Sequence, residues 1–179
     1  MNAWLIVLLV ALGSTPGVAR AQTDSSSDTA VKAAFLFNFA KFTEWPALEP
    51  AAQLVLCVVG DGRVASALAD TVRGHRIGAR ALRVQEMRID GPVGLCHVLF
   101  ISTSETRSAR RVLDSLETLP VLTVSDGRGF ARSGGIVEFF IDSERMRFEV
   151  NIRAMDRAGV RLSSRVLGLA KIAEDDHAR

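Results

Sequence analysis

Three short apolar runs, each closed by a cluster of glycine, serine or aspartate, constrain this chain most. Leu54 to Val59 ends in Gly60-Asp61-Gly62, Val98 to Ile101 in Ser102-Thr103-Ser104, and Val121 to Val124 in Ser125-Asp126-Gly127. None of these runs alternates with polar side chains. A strand that is apolar on both faces must be covered on both faces, which is the environment of a parallel sheet. Between the runs the spacing turns helical, with Val64, Ala65, Leu68 and Val72 on one side and Val112, Leu113 and Leu116 on another. A weaker strand spans 79–84, and Ser102-Thr103-Ser104 can cap the helix from Glu105 to Leu116. Strand, crossover helix and strand in succession predict an α/β fold, a mainly parallel sheet flanked by helices.

The flanks differ. From Val31 the residues Phe35, Phe39 and Phe42 recur at helical spacing among Ala33, Ala34, Leu36 and Phe37, which predicts a largely buried helix capped by Asp28 and ending before Trp45-Pro46. Ile136 to Ile141 and Met146 to Ile152, separated by Asp142-Ser143-Glu144-Arg145, predict an antiparallel hairpin at the sheet edge. In its second arm Met146, Phe148, Val150 and Ile152 alternate with Arg147, Glu149 and Asn151, so one face is expected in the core and the other in water. A short helix from Arg153 to Gly159 and a last helix opened by Ser163-Ser164 close the domain.

The amino terminus is of another kind. An apolar run from Leu5 to Leu12, then Gly13 to Gly17 with small and turn-forming residues, then Ala19-Arg20-Ala21, has the layout of a secretory signal peptide cut after Ala21. The run falls well short of the ~20 residues that span a bilayer. The expected organisation is therefore a leader at 1–21, a Ser-rich disordered lead-in at 22–27, one α/β domain at 28–173 and a polar tail at 174–179. Removing the leader takes Arg20 and lowers the formal net charge from +2 by one unit. Such a balance gives no argument for nucleic acid or for membrane insertion, and the cluster Arg107, Arg110 and Arg111 has no aromatic residues interleaved on which bases could stack.

Chemistry has few candidates. His75, His97 and His177 lack metal-site spacing, no G-x-S-x-G elbow is present, and the carboxylate pairs fall in a turn or at the terminus. No catalytic residue, metal or cofactor is assigned. The strand-end loops, with Gly60, Asp61, Gly62, Ser102 and Asp126, occupy the place where open α/β sheets hold ligands and give an alternative reading as a small-ligand sensory module. Cys57 and Cys96 lie in apolar stretches of the exported part; an even pair in an oxidising compartment reads as a disulfide, with two separate buried thiols as the other possibility.

Several segments resemble a known family. Val31 to Pro46 is similar to its opening signature, Leu56-Cys57-Val58-Val59-Gly60 and Cys96 to Ser102 to its cysteine segments, and Phe148-Glu149-Val150-Asn151 with Leu162 to Ala170 to its carboxyl-terminal signature. The family is that of the YfiR periplasmic repressors. The resemblance implies a periplasmic protein that represses a membrane-bound diguanylate cyclase of the YfiN type by binding its periplasmic sensor region, lowering cyclic di-GMP and disfavouring biofilm. It also implies a disulfide between Cys57 and Cys96 and a possible homodimer. The contact surface is expected on the polar face of the last strand, Arg147, Glu149 and Asn151, with Arg153 and Met155 beyond it.

Overall fold

A computed structural model describes residues 19–45 and 52–174, with side chains from Ser26 onward. Of the leader expected at 1–21, residues 1–18 lie outside the described residues. Helix α1 spans Ala19–Phe42 and is followed by β1, Thr43–Glu44. Residues 22–27, expected as an irregular lead-in, instead continue α1: neither glycine nor proline interrupts 19–42, and a helix already held by its packed half extends at little cost. Asp28 is therefore inside the helix and caps nothing.

The central unit follows. Strand β2 (Leu54–Val59) leads through α2 (Gly62–Val72) to a small hairpin of β3 (Arg76–Ile77) and β4 (Arg80–Met87). Then come β5 (Val98–Ile101), α3 (Thr106–Leu116), β6 (Leu122–Ser125) and the hairpin of β7 (Val137–Asp142) and β8 (Arg145–Val150). The chain ends in α4 (Ile152–Arg157), β9 (Arg161–Leu162), α5 (Ser164–Leu167) and β10 (Lys171–Ile172). Eight strands form one sheet in the order β10-β8-β7-β6-β5-β2-β4-β3, while β1 and β9 pair separately. From β4 to β7 the neighbours are parallel, as the doubly apolar runs require.

The expected α/β class holds, with two differences at the carboxyl end. The β7–β8 hairpin is one strand in from the edge, because β10 pairs in parallel outside β8. The last helix stops at Leu167 and the following residues become that edge strand: Gly168 ends the helix and Lys171 and Ile172 gain a strand partner that a helix could not offer.

Two apolar layers cover the sheet. Leu54, Leu56, Val58, Phe100, Val124, Val137 and Phe148 meet Leu36 and Phe39 of α1 and Val64 and Leu68 of α2 on one face. Four phenylalanines lock α1 to the hairpin, with Phe39 ring centroids 5.9 Å from Phe139 and 5.1 Å from Phe148 and Phe35 at 5.6 Å from each. Cys57, Val59, Leu99 and Ile101 on the other face meet Ala109, Val112, Leu113 and Leu116 of α3, together with Phe130 of the 126–136 crossover.

Candidate functional site

The strand-end loops converge, but they close on each other. Asp61 takes the N-cap of α2, its carboxylate accepting from the amides of Arg63 and Val64 at 3.0 and 3.3 Å. Ser104 Oγ donates to the Gly60 carbonyl at 3.2 Å, and a Cβ on Gly60 would stand 2.7 Å from Ser104 Oγ and from Glu105 Cγ. Gly60 also has φ +82°, so glycine is required there twice over, by conformation and by close approach rather than by a phosphate. Ser102 is buried. Of the five loop residues expected at a ligand site, Asp126 borders a cleft, of about 380 Å³, between α1 and the β7–β8 hairpin.

Asp126 is held from two sides. Its carboxylate accepts from the amide and hydroxyl of Thr103 at 2.7 and 2.8 Å and from Lys32 Nζ at 2.5 Å. Burial pushes the carboxyl up, but the hydrogen bonds from Lys32 and Thr103 and the Lys32 charge outweigh it and hold Asp126 below the ordinary carboxylate range. This pair ties α1 to the loop ends. Lys32 was not singled out by sequence, and Thr103 was read there only as part of a strand-end loop and helix cap.

The cysteines are bridged, with Cα atoms 5.8 Å apart and both residues buried. The bridge ties β2 to the turn that feeds β5, across 39 residues of sequence. Next to it, His97 Nδ1 accepts from the amide of Val55 at 3.1 Å while the His97 amide donates to the Val55 carbonyl at 2.8 Å. Burial, then the Arg80 charge, hold its pKa below the usual value. His97 thus serves the sheet rather than a substrate.

The polar face expected on β8 is not one face in water. Arg147 and Arg153 are exposed, but Glu149, Asn151 and Met155 are buried at 7, 1 and 5 % exposure. Asn151 caps α4 by accepting from Ala154 N at 2.9 Å, and its side-chain amide donates to the Ala131 carbonyl at 2.7 Å. Glu149 lies 3.8 Å from Lys171 of β10. The cover comes from the 126–136 crossover and from β10, segments distant in sequence, so alternation along β8 alone could not show it. Across the hairpin Glu149 is in register with Glu138, also buried, whose carboxylate accepts the amides of Gly129 and Ala131 at 3.0 and 3.1 Å and so holds that crossover in place. A lone glutamate inside the apolar run 136–141 was the available signal for it.

What stays open at this end mixes apolar and charged side chains. A shallow groove of about 550 Å³ runs between the hairpin and the α5–β10 segment, lined by Phe140, Ile141, Arg147, Leu169 and Lys171 among others. Ile141, Leu169 and Ile172 are 58, 71 and 54 % exposed, and Lys171 Nζ lies over the Phe140 ring at 5.9 Å. Exposed large apolar side chains gathered at one edge mark an interaction surface more often than singly scattered ones do.

Fold and bridge together define a disulfide-pinned α/β domain whose mainly parallel sheet is covered on both faces. Within that class the chain belongs to the YfiR/HmsC-like family, whose model matches residues 29–171. That family is regulatory and non-catalytic, is periplasmic in general, and acts in diguanylate cyclase signalling. Among the described residues, no helix is long and apolar enough to cross a membrane.

Proposed function

We propose that this chain is an exported, periplasmic repressor that binds the periplasmic region of a membrane-bound diguanylate cyclase and holds the enzyme in its inactive state. The observation that carries the reading is the family match across most of the domain. The amino-terminal layout of a leader ending at Ala21 supports export, and the bridged cysteine pair suits an oxidising compartment. A repressor of this kind shifts its target by its differential affinity for two states of that target, so it needs a surface and no catalytic group.

The docking surface is the groove at the β7–β8 and α5–β10 end, with Ile141 and Leu169 as apolar contacts and Arg147 at its margin. Glu149 supports it from beneath by holding Lys171 and with it β10. The test is cyclic di-GMP in cells that lack the protein or carry Leu169→Asp or Ile141→Asp, with periplasmic abundance checked by blot. Deletion raises the nucleotide, and each variant reproduces the rise at normal abundance. An unchanged level on deletion overturns the repressor reading; a rise on deletion that neither variant reproduces overturns the groove as the contact.

A further inference from the structure

The bridge has one neighbour that can itself change oxidation state. Met87, the last residue of β4, places its Sδ 3.8 Å from Cys96 Sγ. Its register opposite Val59 puts the side chain on the sheet face that carries Cys57, where Val59, Leu99 and Cys96 gather. The cysteines are 1 and 3 % exposed, whereas Met87, Val55 and Ile89 are only partly buried and pack against that cluster from outside. Met87 is therefore the sulfur atom that forms part of the cover between the bridge and water.

We propose that Met87 is an oxidative modification site controlling access to the Cys57–Cys96 bridge, with peroxide-class two-electron oxidants as its co-substrate. The thioether sulfur attacks a peroxide oxygen through its lone pair; the S–O bond forms, the O–O bond breaks, and the departing hydroxide takes the remaining proton to leave as water. The sulfur is oxidised by two electrons to the sulfoxide and the peroxide is reduced. A flexible apolar group becomes a polar one. Its new oxygen needs a hydrogen-bond partner, and against a buried disulfide it would have none, so the side chain turns out toward water and uncovers Cys96 Sγ. Thiolate attack on a disulfide depends on access to the sulfur, so the modified protein exchanges faster with external thiols.

The chain supplies its own comparators. Met155 is 5 % exposed and belongs to the opposite layer, and Met146 is partly exposed in the β7–β8 hairpin, away from the bridge. Purified protein is treated with hydrogen peroxide, each methionine is followed by peptide mass mapping, and reduction by glutathione is then timed by alkylating the released thiols. Met87 gains oxygen well ahead of Met155, and the oxidised protein releases its thiols faster by on the order of tenfold, as an access-controlled exchange would. Met87→Leu, which keeps the cover and removes the thioether, abolishes the effect of peroxide on that rate, and Met146→Leu leaves it intact. Oxidation of Met87 no faster than Met155, an unchanged release rate, or a peroxide effect that survives in Met87→Leu each overturns the proposal. So does loss of far-UV circular dichroism at the same dose, because the bridge would then be reached by global unfolding.

Discussion

His97 stands where the β2–β5 ladder begins, and its ring replaces a backbone carbonyl as acceptor for the Val55 amide. That bond requires an unprotonated Nδ1. Burial and the Arg80 charge depress the folded-state pKa, so between that value and the unfolded value of ~6.5 the unfolded chain binds the proton that the folded chain refuses. Stability is thus complete above about pH 6.5 and is lost progressively as the pH falls toward the folded pKa. Urea midpoints taken from pH 8 to pH 5 fall through that window in the native chain, and the fall is smaller in His97→Gln, whose amide oxygen can accept the same bond without titrating. Equal slopes in the two proteins sink this account. Residues of this sort show the limit of reading from sequence. The carboxylate and amide of Glu149 and Asn151 were visible as polar positions on an alternating strand, but their partners, Lys171 and Ala131, lie 22 and 20 residues away and decide the burial.

Among the elements, the β7–β8 hairpin holds the clearest local conflict. Its two-residue turn sets Ser143 and Glu144 at φ +49° and +62°, the pattern of a type I′ turn, which asparagine and glycine fill with less strain. Ser143→Asn with Glu144→Gly raises unfolding free energy by roughly 1 kcal/mol, measured by urea titration. No gain, or a loss, shows that the turn is not strained in solution. The long apolar strands could be read from sequence because burial on both faces leaves a continuous signal, and the first of the two crossover helices showed equally clearly because its apolar positions match those buried in α2. β3 and β10 could not, having two residues each and no period. The α5 region misled for a physical reason: Val166, Leu167, Ala170 and Ile172 fit a helix as well as they fit a turn and an edge strand, and only the free side of β8 decides between them.

At the scale of the whole molecule, the bridge closes the base of the loop that carries the outer part of the sheet. Between Cys57 and Cys96 lie α2, β3 and β4, the whole of the sheet on the far side of β2. β4 is only partly buried along its length and pairs over six residues with β2, while α2 packs against α1, so these two contacts hold the outer unit to the rest of the domain. Cross-linking residues 39 apart restricts the unfolded chain by about 4 kcal/mol in the chain-entropy model. Cys57→Ala combined with Cys96→Ala therefore lowers unfolding free energy by roughly 2–4 kcal/mol. Trp45 is buried, lies outside the bridged loop and faces His97 at 6.0 Å, so its emission follows the inner part of the domain while far-UV circular dichroism follows all of it. In the bridged protein the two urea transitions coincide, as one cooperative unit requires. In the double variant the circular dichroism transition begins at lower urea than the Trp45 transition, because α2 and β4 are released first. If the two transitions coincide in both proteins and the midpoint barely moves, the bridge adds no cohesion between the two parts of the sheet, and its effect is confined to the chemistry of the sulfurs themselves.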